Sequence, residues 1–190
     1  MTQTTTLEIP KRLFSVAEYH KLAETGILRE EDRVELINGE IIEISPIGPK
    51  HAGNLDRLAQ FLTLLFRENA IIRVQSPVQL GTYSEPEPDL AILKPREDFY
   101  TTSHPRPNEI MLLVEFADTS LSYDQKIKLP LYASHNIPET WLIDLLENRI
   151  MVFEHPKGEQ YLNINTFQKG EAVQSTVLPD IVPVEKILGI

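Results

Sequence analysis

The 190-residue chain contains no cysteine. Disulfide frameworks, thiolate zinc centres and a cysteine nucleophile are thereby excluded, and chemistry is left to oxygen and nitrogen groups. Long apolar runs are missing too, since nothing approaches the roughly 20 residues that a membrane-spanning helix requires. With 42% hydrophobic and 24% charged residues, the composition is that of a globular domain. Positive charge is scarce, with 18 Lys and Arg against 28 Asp and Glu for a net charge of −10. A broad nucleic-acid-binding face normally shows as a basic excess, so a phosphate-binding surface here has to be local, gathered from residues such as Arg57, Arg67, Arg73, Lys126 and Lys128. The stretch from Met1 to Pro10 has neither the basic flank nor the apolar core of a secretory leader. It reads as a polar, frayed start, and a cytoplasmic location is expected. The length fits one domain over residues 1–190.

Helix and strand signals alternate along the chain. Ser15 and Glu18 form a capping box and Gly26 a stop, which predicts a helix over about 16–24. Asn38-Gly39 accepts the two positive φ angles of a tight type I′ turn, so Arg33–Ile37 and Glu40–Ile44 form a hairpin. Leu55, Leu58, Ala59, Leu62, Leu65 and Phe66 recur at helical spacing, marking an amphipathic helix over 51–68 that packs on a sheet. Strands are expected at about 71–80, 89–93, 110–116, 140–145 and 149–154, then near 160–167 and 173–178 before a short terminal helix. A crossover helix spans about 124–135, with Pro130 predicting a kink or late start. The Pro-rich connector 94–109 is long enough to be functional or mobile.

Two carboxylates interrupt the apolar strand runs: Asp89 in Pro-Asp-Leu-Ala-Ile-Leu and Glu115 in Ile-Met-Leu-Leu-Val-Glu-Phe. An ionised carboxylate withdrawn from water costs several kcal/mol unless it pairs, shifts its pKa or holds a metal. Asp124, Lys128 and Tyr132 follow at four-residue intervals, along one face of the crossover helix. Two acids at adjacent strand ends can share Mg²⁺, a hard ion that prefers oxygen. An ammonium aimed at it can orient water or hold a phosphate oxygen.

At these residues the chain resembles the restriction-endonuclease-like superfamily, whose signature is Pro-Asp, a spacer, then Asp or Glu, any residue, Lys (PD-(D/E)xK). It is more closely similar to a large bacterial family of restriction-endonuclease-like proteins. The carrying segments are Val34–Glu40 with His51, Glu87–Ile92, Val114–Ala133 and Ile137–Asp144, within a span of about 13–155. The resemblance implies a mixed α/β core, a central sheet flanked by helices with an N-terminal helix and hairpin. It further implies Asp89 and Glu115 as ligands of Mg²⁺ or Mn²⁺, and cleavage of DNA, most naturally duplex, by metal-activated water. One position departs from the signature: Ala117 stands where the lysine belongs. Lys128 is the replacement, and Lys126 is second to it. Glu40 is favoured over Glu35 as a third acid, and His51, near the positive end of its helix, is a further candidate.

Plainer readings compete. Asp89 can be a strand-opening residue and Glu115 a salt-bridge partner, although one bridge accounts for only one acid. Asp124 reads as a helix cap before it reads as a ligand. Tyr132 and Trp141 read as packing residues, and His20, His104, His135 and His155 as surface residues without metal spacing. The two functional readings are a Mg²⁺-dependent endonuclease acting as a homodimer, and a catalytically inactive nucleic-acid-binding or dimerising module of the same fold.

Overall fold

A computed structural model describes residues 10–29 and 31–190. The stretch from Met1 to Ile9 read as a polar start lies outside them. The chain forms helix α1 (Val16–Glu24), hairpin strands β1 (Val34–Ile37) and β2 (Glu40–Glu43), and helix α2 (Pro49–Phe66). Strands β3 (Ile71–Val74), β4 (Leu90–Leu93) and β5 (Ile110–Ala117) come next. The crossover has three parts: α3 (Leu121–Tyr123), a π-type turn (Asp124–Lys128) and α4 (Leu129–Ser134). Then follow β6 (Glu139–Asp144), β7 (Arg149–Lys157), β8 (Gln160–Phe167), the short strands β9 (Ala172–Val173) and β10 (Val182–Pro183), and helix α5 (Val184–Leu188).

Six strands make one mixed sheet in the order β3-β4-β5-β6-β7-β8. Only β5 and β6 run parallel; the other pairs are antiparallel. A parallel pair needs a crossover over one face of the sheet, and the α3–α4 segment is that crossover. β5 shows how both faces are covered. Leu112, Val114 and Phe116 join Leu55, Leu58, Leu62 and Phe66 of α2 in one apolar cluster. Leu113 and Ala117 alternate to the other side and meet Leu129, Leu131, Tyr132 and Ala133 of α4. Strand alternation therefore aims Glu115 at the crossover rather than at α2. Antiparallel pairing of Leu90 with Val114 then carries Asp89, the residue before β4, to the position beside Glu115.

The N-terminal part is held by local chemistry. Ser15 caps α1, its Oγ accepting from the Glu18 amide while Glu18 accepts from the Ser15 amide. Asn38 and Gly39 take φ of 49° and 80°, the tight turn expected of them. The 84–87 strip bridges onto β1, with the Glu85 amide donating to the Leu36 carbonyl at 2.7 Å.

The structure departs from the expected elements in a few places. The strand expected over 71–80 ends at Val74, and Gln75 takes a positive φ of 44° before an irregular path to Asp89. The strand expected at 173–178 is only Ala172–Val173, beyond which the Ser175 hydroxyl accepts from the Val177 and Leu178 amides. The crossover helix begins at Leu121, before the expected start. A π turn ends at Lys128, two residues before Pro130, whose ring nitrogen cannot donate to the carbonyl four residues back. The 94–109 connector is ordered around Arg96, which pairs with Asp98 at 2.5 Å and Glu109 at 3.0 Å and lies 3.9 Å from the centre of the Tyr100 ring.

Gly39 tests the hairpin anchor. Its φ is in the left-handed region, and a Cβ there would stand 2.6 Å from Leu13 Cβ. Gly39→Ala is expected to destabilise the fold by roughly 1–3 kcal/mol, read as a lower urea midpoint at unchanged slope. An unaltered midpoint would show that the turn carries no such constraint.

Candidate active site

The ends of β4 and β5, β1, the start of α2 and the π turn surround a cleft of about 390 Å³. Asp89 is fixed from two directions: its Oδ1 lies 2.9 Å from His51 Nε2, and its Oδ2 accepts the Phe116 amide at 2.8 Å. His51 is the third residue of α2, so the helix that covers one face of the sheet also supplies the donor that orients Asp89. Gln75 Nε2 adds a longer contact to Oδ1 at 3.4 Å.

Glu115 is buried and meets Lys128 Nζ at 3.2 Å, while the Tyr132 hydroxyl donates to its Oε1. Lys128 is itself buried, with Glu35 Oε2 at 3.3 Å and the Glu87 carbonyl at 3.3 Å. Glu35 also accepts the Glu87 amide at 3.0 Å and the Tyr123 hydroxyl at 3.1 Å. Asp124 faces the same cleft and accepts the Ser120 hydroxyl at 2.7 Å.

The charges are unequal. One ammonium stands among carboxylates of Glu35, Glu115, Asp89 and Asp124. Burial opposes the charge on Lys128, yet Glu115 and Glu35 more than offset it and hold its pKa above the usual lysine range. Burial pushes the Glu115 carboxyl up to about 8; Lys128 pulls it down and Asp89 pushes it further up. Burial likewise raises Asp124 to about 6, against the Ser120 hydroxyl and Lys128. The protein alone thus leaves carboxyl groups short of compensating charge. The donors facing the cleft are hard oxygens, so the residues fit a small divalent cation that keeps several waters.

Of the candidates named from sequence, Asp89, Glu115, Lys128, His51 and Asp124 line this one cleft. Glu40 does not: it points outward and pairs with Lys11 at 3.0 Å. Glu35 occupies the place considered for it, because the hairpin buries Glu35 with Leu36 and Ile37 while β2 stays partly exposed. Lys126 is exposed and away from the cleft. Asp124 is no helix cap, since the helix begins earlier and Asp124 lies within it. Tyr132, read as a packing residue, bonds Glu115; its position four residues after Lys128 was the available signal. His104 is not a free surface residue either, since it lies beside His20 and Glu85. Arg57, Arg67 and Arg73 do not line the cleft, whose cationic side chains are Lys128 and Arg33.

A mixed sheet with two acids at adjacent strand ends and a lysine set against them defines a restriction-endonuclease-like protein. The Uma2 family model, described as "Putative restriction endonuclease", matches residues 16–185, and the chain belongs to that family. A solved structure from Anabaena variabilis, titled a "putative nuclease belonging to DUF820", superposes with a TM-score of 0.73 at 16% identity, covering 93% of this chain and 98% of the other. That likeness is one of fold. Comparison with curated proteins finds no significant match.

The shifted Glu115 makes a pH prediction. Its folded pKa of about 8 lies above the ordinary 4.5, so between those values the folded state binds the extra proton. The stabilisation is complete below about 4.5 and is lost as pH rises toward 8. In EDTA, urea unfolding should therefore show parent stability falling relative to Glu115→Gln across that window. Parallel curves would mean that Glu115 is ionised in the folded protein.

Proposed function

We propose that this protein is a Mg²⁺-dependent DNA endonuclease whose catalytic residues are Asp89, Glu115 and Lys128. The observation that carries the reading is the convergence of these three, with Lys128 Nζ 3.2 Å from Glu115 and Asp89 beside Glu115 across the β4–β5 pair. Asp89 and Glu115 would hold the ion, with Mn²⁺ as a substitute. When bound, such an ion lowers the pKa of water and stabilises charge developing on the phosphate.

The chain's own residues have separable tasks. His51 and the Phe116 amide keep Asp89 from turning away, and Tyr132 does the same for Glu115. Glu35 and the Glu87 carbonyl aim the Lys128 ammonium toward Glu115, where it can orient a water or a phosphate oxygen. Arg33, on the cleft wall, offers a second cation to the phosphodiester backbone. Duplex DNA is the proposed substrate, reached in the cytoplasm by a homodimer, because two-fold pairing brings two sites to two strands.

The competing reading is a binding module without catalysis, and Ala117 at the signature lysine position is what favours it. Ala117 is fully buried, in the same apolar cluster as Leu129 and Tyr132. Incubation with plasmid DNA and Mg²⁺ or Mn²⁺ separates the two. The parent should nick or linearise the plasmid, and Asp89→Ala and Lys128→Ala should each lower the rate by about 10² or more, as loss of a charge-stabilising group does elsewhere. A parent that binds DNA in a salt-dependent manner but never cuts would leave only the module.

A further inference from the structure

Apart from the residues that line the cleft, three side chains converge that the nuclease reading does not use. His20 comes from α1, Glu85 from the strip that bridges onto β1, and His104 from the 94–109 connector. One ligating atom from each lies within 4.8 Å of the other two. His20 Nε2 is 2.7 Å from Glu85 Oε1, and the two imidazole rings stand edge to face with centroids 6.2 Å apart.

Two atoms of the group lack explanation. Glu85 is only 3% exposed, and its second oxygen, Oε2, is buried without a hydrogen-bond partner among the described residues. His104 Nδ1 is buried without one as well. Buried polar atoms are almost always satisfied by protein, water or an ion. The His20–Glu85 bond accounts for one carboxylate oxygen and leaves the other lone pairs unused. His20 remains 45% exposed at its side chain, so the group is open to solvent on one side.

From this arrangement we propose that His20, Glu85 and His104 bind a divalent transition metal, with zinc as the fitting ion and water as its fourth ligand. Two imidazoles and one carboxylate with an open position form a donor set suited to zinc. Magnesium, which favours oxygen and dehydrates reluctantly, is not expected there. Zn–N bonds of about 2.0 Å place tetrahedral donors roughly 3.3 Å apart, so the 2.7 Å His20–Glu85 contact would open slightly as the ion takes the place of the proton. Arg73 also acts on His104. Its positive charge opposes that of a bound cation, while the Glu85 carboxylate favours one.

The site would tie three separate segments together: α1, the long connector and the strip leading to Asp89. Glu87, two residues beyond Glu85, contacts both Lys128 and Glu35. Zinc would therefore brace one wall of the cleft from outside.

Zinc titration of EDTA-stripped full-length protein tests this, using Asp89→Ala to remove binding at the cleft. Calorimetry should give about one zinc per Asp89→Ala chain and a melting temperature that rises with zinc. Adding Glu85→Gln or His104→Ala should abolish both effects, and cobalt(II) should show the visible bands of a low-coordinate nitrogen and oxygen site that His20→Asn removes. Absence of zinc binding by Asp89→Ala, or binding that survives Glu85→Gln and His104→Ala unchanged, overturns the proposal. If the Glu85 variant does not fold, zinc-edge absorption of the Asp89→Ala protein decides the matter: two imidazoles in the zinc shell support the site, and none refutes it.

Discussion

The Lys128 ammonium is the interaction on which the cleft depends. It is withdrawn from water, and a buried charge is tolerated only where partners replace hydration. Those partners come from three separated stretches: Glu115 on β5, Glu35 on the hairpin and the Glu87 carbonyl on the strip before β4. The same ammonium thus neutralises acids that would otherwise repel one another and fastens the hairpin to the main sheet. Stability and site geometry share one set of contacts.

Topology explains why the lysine is where it is. The antiparallel β4–β5 pair fixes Asp89 beside Glu115, while the parallel β5–β6 pair forces the chain to leave β5 and cross the sheet directly above those acids. A residue on that crossover reaches the carboxylates as readily as one on the strand. With the crossover bearing the cation, position 117 is released to small apolar packing. Ala117 is buried in apolar packing, and the ammonium beside Glu115 comes from the crossover.

Much of the frame was visible in the chain itself because its signals are local. The Ser15–Glu18 box, the Asn38-Gly39 turn and the leucine stripe of α2 each follow from neighbours a few residues apart, and each appears where expected. The pairing of Asp89 with Glu115 was legible from two acids in apolar runs. What stayed hidden depends on distant contacts. The choice of Glu35 over Glu40 follows from the 84–87 strip lying along β1, some 50 residues away in sequence. Tyr132 looked like core because most of its ring is, and only its hydroxyl reaches the site. His20 and His104 are 84 residues apart, beyond the reach of any spacing rule.

The wide turn between α3 and α4 carries a consequence for the family's tolerance of length change. Asp124 and Lys128 bound that turn, and Tyr132 follows it, yet all three reach one cleft or its floor. Removing a single residue there would rotate everything downstream by about 100°, turning the ammonium out to solvent and its apolar neighbours away from the sheet. Insertions and deletions should thus be confined to the loops at either end of the crossover, and the number of residues from Ser120 to Tyr132 is as much a part of the site as their identities.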